Sequence, residues 1–334
     1  MGQMLSSIAD VLRIDAACET ERLVAMIKST VFSRFRRKGA VIGVSGGIDS
    51  SVVAFLCARA LGSDRVCLLL MPESESSSDS IRLGKMVAEA LHAKFTIENI
   101  SGILHAARCY ERRDAAIRLL VPEYAEDYRC KIVLPAVAEG REYAIFSIVV
   151  QAPNGATRKI RLTAEAYLGI VAATNFKQRT RKMLEYHYAD LLHYAVAGTP
   201  NRLEYDQGFF VKNGDGAADF KPIAHLYKSQ VYQLAEYLGV PEEIRRQMPT
   251  TDTYSLPQSQ EEFYFSLPLF AMDLCLYGKN HDILPAEIAT VTEMTEEQVR
   301  RTYKMIESKR KVAEYLRGQP VLMERVAASD ATEV

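Results

Sequence analysis

Residues 45–51 read SGGIDSS, set between two apolar runs. Gly46 and Gly47 remove side chains where the backbone must turn tightly and approach something closely. Ser45, Ser50 and Ser51 add hydroxyls. A helix starting inside this stretch would aim its free amides and positive dipole end into the same space. Together these features make a phosphate cradle. The GxxxxGK[ST] pattern of the usual NTPase loop is absent. Asp49 is the informative residue, because a carboxylate in an anion site repels phosphate unless a cation lies between them. It therefore implies Mg²⁺ bridging Asp49 to the phosphates. A structural strand–helix turn would explain the glycines but not the full set.

The elements that must hold this loop can be read on either side of it. AVIGV (40–44) has the composition of a strand buried on both faces. Asp49 and Ser50 are expected to cap the following helix, SSVVAFLCARAL, which stops at Gly62. RVCLLLMP (65–72) reads as a second buried strand. Asp79 or Ser80 is expected to start a helix that runs to about His92, and KFTIENI (94–100) reads as a third strand. Strand and helix alternate three times, which predicts an α/β fold: a doubly wound, mainly parallel, Rossmann-like sheet with helices on both faces.

Upstream, residues 15–38 read as helix, ended by Gly39. Residues 101–162 break the alternation and are expected to be an insertion. It opens with a helix-like segment and contains a β-hairpin around the Asn154-Gly155 turn. One long helix over 163–195 follows, then a loop, then a helix over 225–238 stopped by Gly239. Residues 283–334 are expected to form C-terminal helices, and 1–334 a single domain.

Composition bounds the function class. The 334 residues carry 41 Lys+Arg against 42 Asp+Glu, so no global field points to nucleic acid or membrane. No apolar run approaches the ~18 residues of a transmembrane helix, and the N-terminus lacks a signal-peptide pattern. MGQMLS fits a myristoylation pattern short enough to recur by chance. The six cysteines, Cys18, Cys57, Cys67, Cys109, Cys130 and Cys275, form no CxxC pair. That argues against a zinc ribbon and for reduced thiols in a cytoplasmic protein.

SGGIDSS after a buried strand resembles the pyrophosphate loop of the ATP pyrophosphatases, which adenylate a carboxylate or carbonyl and let nitrogen or sulfur displace AMP. Downstream, NFKQRTRKM (175–183), GTPNRLE (198–204), FFVKNGDGAAD (209–219) and LYKSQVYQLAEYLGVP (226–241) resemble segments of the ammonia-dependent NAD synthetases, in the same order. The resemblance implies an ATP site at Gly43, Val44, Ser45, Gly46, Gly47, Ile48, Asp49, Ser50, Thr199, Lys228 and Thr250. It pairs Asp49 with Glu204 as carboxylates for Mg²⁺. Arg179, Lys212 and Asp219, with Ser308 and Lys309, match the family's positions for the acid substrate, deamido-NAD. Asp49 and Lys228 are the expected catalytic pair, the lysine neutralising charge on the leaving pyrophosphate.

The implied reaction has the substrate carboxylate attack the α-phosphorus of ATP, after which ammonia displaces AMP. No covalent nucleophile of the protein is needed. Ser308 stands where the family has histidine, and the loop over 250–269 follows the family's covering loop only in part, which leaves a paralogous amidating ligase for another acid as the alternative. No segment remains for a glutaminase, so free ammonia, or ammonia from a separate partner, is expected. The resemblance also implies a homodimer.

Overall fold

In the computed structural model the described residues are 10–134, 146–250, 253–260, 264–265 and 267–324. The MGQMLS pattern lies outside them, as do 135–145, part of the loop over 250–269 and residues 325–334. Helix α1 (Ala16–Lys28) is capped by Asp15, whose carboxylate accepts from Ala17 N at 3.1 Å and Cys18 N at 3.0 Å. It runs into a π-helical turn, Ser29–Arg34, and not into the uninterrupted helix expected to 38. There follow β1 (Ala40–Gly43), α2 (Ile48–Leu61), β2 (Val66–Leu70), α3 (Ser78–Leu91) and β3 (Lys94–Ile97).

All strands of the main sheet are parallel, in the order β3-β2-β1-β7, with β7 spanning Ala195–Val196. Alternate side chains feed two cores. Ala40, Ile42, Leu68 and Leu70 pack with α1, α2 and α3, while Val41, Cys67 and Leu69 face the opposite layer. Every residue of β2 is buried, as a strand covered on both faces requires. The layer opposite α2 is α6 (Ala164–Leu192), started by the Thr163 hydroxyl.

Several local expectations are corrected. The long helix ends at Leu192, so Ala195 belongs to β7 and not to the helix. The N-cap of α2 is Gly47, without a side-chain cap. Asp49 lies in its first turn with its carboxylate turned to tertiary partners, and the Ser50 hydroxyl donates back to Gly47 O at 3.0 Å. Helix α3 is capped by Ser77, whose hydroxyl accepts from Asp79 N at 3.2 Å, and not by Asp79 or Ser80.

After β3 come two short helices, α4 (Ser101–Ala106) and α5 (Cys109–Arg118), where one was expected. Arg108, at φ 55°, turns the chain between them. Strands β4 (Arg129–Val133), β5 (Ser147–Gln151) and β6 (Thr157–Arg161) form an antiparallel sheet in the order β4-β5-β6. The Asn154-Gly155 hairpin is thus two strands of three. Cys130, Ile132, Ile148 and Val150 seat this sheet on α5 and α6.

The remaining elements are α7 (Arg202–Gln207), α8 (Lys228–Leu238), α9 (Glu242–Arg246), α10 (Leu269–Asn280), α11 (Pro285–Ala289) and α12 (Glu296–Arg317). The last three share one apolar cluster with Leu203 of α7. Among the described residues no helix is long and apolar enough to cross a membrane.

Candidate active site

The chain leaves β1 toward β2 on one side and reaches β7 on the other, so strand order reverses between β1 and β7. In open α/β sheets, ligands bind beyond the carboxyl ends of the strands at such a point. The loop after β1 and the segment 197–201 after β7 flank it here. Val44 N donates to Leu69 O at 2.8 Å and Ala197 N to Val41 O at 3.0 Å, so both loops start from fixed backbone.

Gly46 sits at φ +81°, and a Cβ there would lie 2.8 Å from Leu83 Cβ and 3.1 Å from Ser80 O. Only glycine lets the loop turn this close to α3. The serines brace it internally. Ser45 Oγ accepts from Gly47 N at 3.3 Å, and Ser51 Oγ donates to Gly47 O at 2.9 Å. The first-turn amides of α2 have no acceptor within their own helix and form the mouth of the cradle.

Three segments distant in sequence converge on this loop. The ammonium of Lys228, 1% exposed at the start of α8, donates to Asp49 Oδ2. Asn201, also 1% exposed, donates from Nδ2 to Asp49 Oδ1 at 3.0 Å. Glu204 and Asn201 form a capping box that fixes α7: Glu204 N donates to Asn201 Oδ1, and Asn201 N to Glu204 Oε2, each at 3.1 Å. Gln260 Nε2 adds a bond to Glu204 Oε1 at 3.0 Å.

The electrostatics follow from this packing. Burial, with the Asp49 charge beside it, pushes the Glu204 carboxyl up to about 8. Burial works against the Lys228 ammonium, but Asp49 and Glu204 outweigh it and raise that group above its usual value. Beneath them Asp273, fully buried on α10, accepts from Lys228 N at 3.2 Å and Ser229 N at 2.7 Å. It fixes the helix N-terminus that carries the lysine, and burial pushes its own carboxyl up to about 6.

Asp49 and Glu204 are a donor set of two hard oxygens, which suits Mg²⁺ arriving with phosphates. The resistance of Glu204 to ionisation beside Asp49 is what an intervening dication would relieve. Among the described residues no group of three or more His, Cys, Asp or Glu could hold an ion by itself.

The cleft over this point measures about 1770 Å³. That exceeds the ~300–1,000 Å³ of an ordinary small-molecule site and leaves room for two nucleotides. Gly43 to Ser50, Thr199, Glu204, Lys228 and Thr250 all line it. Arg179 and Lys212 line it too, joined by a bond from Arg179 Nε to Lys212 O at 3.2 Å.

A family profile described as NAD synthase matches residues 19–129 and 137–316. The NH(3)-dependent NAD(+) synthetase of Mesorhizobium japonicum is 56% identical over 93% of this chain and 98% of its own length. That of Thermotoga maritima is 34% identical over 92% and 99%. The chain belongs to the NAD synthase family. Two solved structures share the fold. An NMN synthetase from Francisella tularensis has TM-score 0.64 at 21% identity, covering 93% of this chain and 99% of its own. An NH3-dependent NAD synthetase from Campylobacter jejuni has TM-score 0.61 at 23%, covering 93% and 100%.

Three positions singled out by the family resemblance fall outside the cleft wall of this NAD synthase. Asp219 is tied to β7, accepting from Val196 N at 2.8 Å. Ser308 is exposed on α12. Lys309 lies 3.8 Å from the Tyr264 ring centre, and burial lowers its ammonium to about 7. Conversely, the sequence reading passed over Asn201, Gln260, Asp273 and Asp215. Asn201 carries a legible signal, an Asn three residues before Glu at a helix start. Asp215 lines the cleft within the quoted Gly-Asp-Gly turn and accepts from Val211 N at 2.8 Å. For Gln260 and Asp273 no local signal exists.

Proposed function

We infer that this chain makes NAD: it adenylates the carboxylate of deamido-NAD with ATP, and ammonia displaces AMP, with release of pyrophosphate. The convergence of Asp49, Glu204 and Lys228 at the phosphate cradle carries this reading. The first two suit a metal-bound triphosphate, and the third is a buried cation that can follow charge onto the leaving pyrophosphate. The 56% identity to an ammonia-dependent NAD synthetase supports it over a paralogue for another acid.

Each role follows from position. The cradle from Gly43 to Ser50, with Thr199 and Thr250 on its walls, holds the triphosphate. Mg²⁺, held by Asp49 and Glu204, would neutralise phosphate charge and mark the α-phosphorus for attack. Arg179 and Lys212 meet the anionic part of deamido-NAD. No side chain need act as a nucleophile; the site contributes alignment and charge. The protein acts as a homodimer in the cytoplasm, a reading supported by exposed Leu168, Met183 and Leu191 on α6 and by six unpaired cysteines, five of them buried.

The test is a turnover measurement with ATP, Mg²⁺ and ammonium, with and without deamido-NAD. NAD and pyrophosphate are expected in equal amounts, only when the acid is present. A folded protein that binds ATP and makes no NAD would overturn the reading.

A further inference from the structure

Segment 253–260, between α9 and α10, passes along the edge of β4 that faces away from β5, and it is tied there residue by residue. Cys130 N donates to Ser255 Oγ at 2.9 Å, Leu256 N to Cys130 O at 3.1 Å and Lys131 Nζ to Pro257 O at 3.2 Å. Gln258, 5% exposed, donates from Nε2 to Ile132 O. Tyr254 enters the apolar cluster that seats the inserted sheet on α5 and α6. The insertion therefore sets the path of this segment.

The other end of the segment reaches the carboxylates at the cradle. Thr250 and Ser259 form an antiparallel bridge, and Gln260 N donates to Pro249 O at 3.0 Å. From that fixed backbone Gln260 Nε2 donates to Glu204 Oε1 at 3.0 Å, while Asn201 N holds Oε2 at 3.1 Å. Each oxygen of Glu204 thus has one donor, which fixes the plane of the carboxylate. A carboxylate has about four lone-pair sites, so both oxygens keep capacity for a cation. Gln260 is 9% exposed and lines the cleft, yet its Oε1 is buried with no hydrogen-bond partner among the described residues. A buried acceptor of this kind is costly unless a donor arrives with the ligand. An apolar side chain would fill the same space without that cost.

We propose that Gln260 is a positioning residue for the metal carboxylate: carried by a segment that the inserted sheet holds, it keeps Glu204 in the orientation that a nucleotide-bound Mg²⁺ requires. Its amide oxygen is available to a donor that enters with the ion. The inference rests on the NAD-forming reading above, in which Asp49 and Glu204 hold that ion. It gives the insertion a task in the reaction, exerted from β4 through residues 255–258 to Gln260 and Glu204. Hydrogen-bond partners of ligating carboxylates typically set metal affinity by about 10–100-fold, so the effect should be readable in binding alone.

Gln260→Met keeps the length and bulk of the side chain and removes the donor. The probe is α,β-methylene-ATP, which cannot be cleaved between its α- and β-phosphorus, titrated once with excess Mn²⁺ and once with EDTA. The variant should bind the Mn²⁺ complex about 10–100-fold more weakly. It should bind the metal-free analogue as the wild type does. Gln258→Met releases the segment from Ile132 without touching Glu204. It should give a smaller shift of the same kind, and no further shift when added to Gln260→Met. Equal losses with and without metal would reduce Gln260 to part of the cleft wall, and no loss would leave Glu204 oriented by Asn201 alone; either result overturns the proposal. A second measurement needs no variant. In wild-type protein holding the analogue, the amides of 253–260 should gain protection from hydrogen exchange when Mn²⁺ is added, and unchanged exchange would also overturn it. Wild-type protein that makes no NAD defeats the functional reading itself; active wild type whose metal affinity ignores residue 260 defeats this inference alone.

Discussion

The ammonium of Lys228 rests on the carboxylate of Asp49, so the lysine occupies the group that a nucleotide-bound cation would need. The two cations would compete for one carboxylate. Were a metal and triphosphate bound there, Asp49 would release Lys228 to the phosphates, and the pairing keeps both groups from being buried unpaired in the meantime.

Lys228→Met separates these roles. The variant should lose about 10²–10³ in kcat, the scale for removing one preorganised group that stabilises developing charge. Its apparent Mg²⁺ affinity should hold or improve, because the competing ammonium is gone. Titration of Mg²⁺ in steady-state assays decides this. A weakened Mg²⁺ requirement curve in step with kcat would mean the lysine helps hold the metal.

Gly46→Ala tests the close turn. At φ +81° an L residue is strained by about 1–2 kcal/mol, and the added methyl also meets Leu83 and Ser80 of α3. Gly239→Ala is the control: φ is +77° and nothing lies within 4 Å of its Cβ. Both should lower the melting temperature. Only Gly46→Ala should raise KM for ATP, by about tenfold or more, since 1.4 kcal/mol of lost binding is tenfold.

What the sequence made legible here was local. The glycines and serines of 45–51, flanked by apolar runs, announced strand, cradle and helix because all three lie within one turn of each other in the chain. Asp49 was read as a cap by the same local logic, yet its carboxylate is taken by Lys228 and Asn201, over 150 residues away. Strand β7 escaped notice because two residues, Ala195 and Val196, cannot show a period and follow directly on a helix. Asp273 reads as an odd acid within LFAMDLCLYG. Its purpose exists only once α10 is packed beneath the start of α8.

A buried ion network braces the cleft wall beside the cradle. Lys177, 1% exposed, donates to Glu73 Oε1 at 2.8 Å, Glu75 Oε2 at 2.7 Å and Thr253 O at 2.8 Å, and Arg113 also reaches Glu75. Burial would raise the Glu73 carboxyl, but Lys177 outweighs it and holds the group below its usual value. Lys177→Met therefore leaves the buried Glu73 carboxylate without its cation, while Glu75 keeps Arg113, and should cost about 3–5 kcal/mol in denaturant unfolding. Adding Glu73→Gln should recover part of that loss. A single substitution that costs less than about 1 kcal/mol would show the network to be an exposed-type pair of little weight.

Asp273 offers a test through pH. Its carboxyl is raised from 3.8 to about 6 in the folded protein, so the folded state holds that proton more tightly than the unfolded chain does. Stability from this group is complete below about pH 4 and falls as pH rises through the interval to about 6, after which it is level. The total change is on the order of 3 kcal/mol, at 1.36 kcal/mol per pH unit. Asp273→Asn keeps one acceptor for the amides of Lys228 and Ser229 and removes the titration. The stability of the wild type relative to this variant should therefore decline between about pH 4 and 6 and stay constant above. Denaturant midpoints measured across that range check it, and a difference that is flat with pH would mean that Asp273 folds as an ordinary ionised carboxylate. The variant should also lower kcat while leaving KM for deamido-NAD near the wild-type value, because Asp273 acts through the placement of Lys228 and does not itself line the cleft.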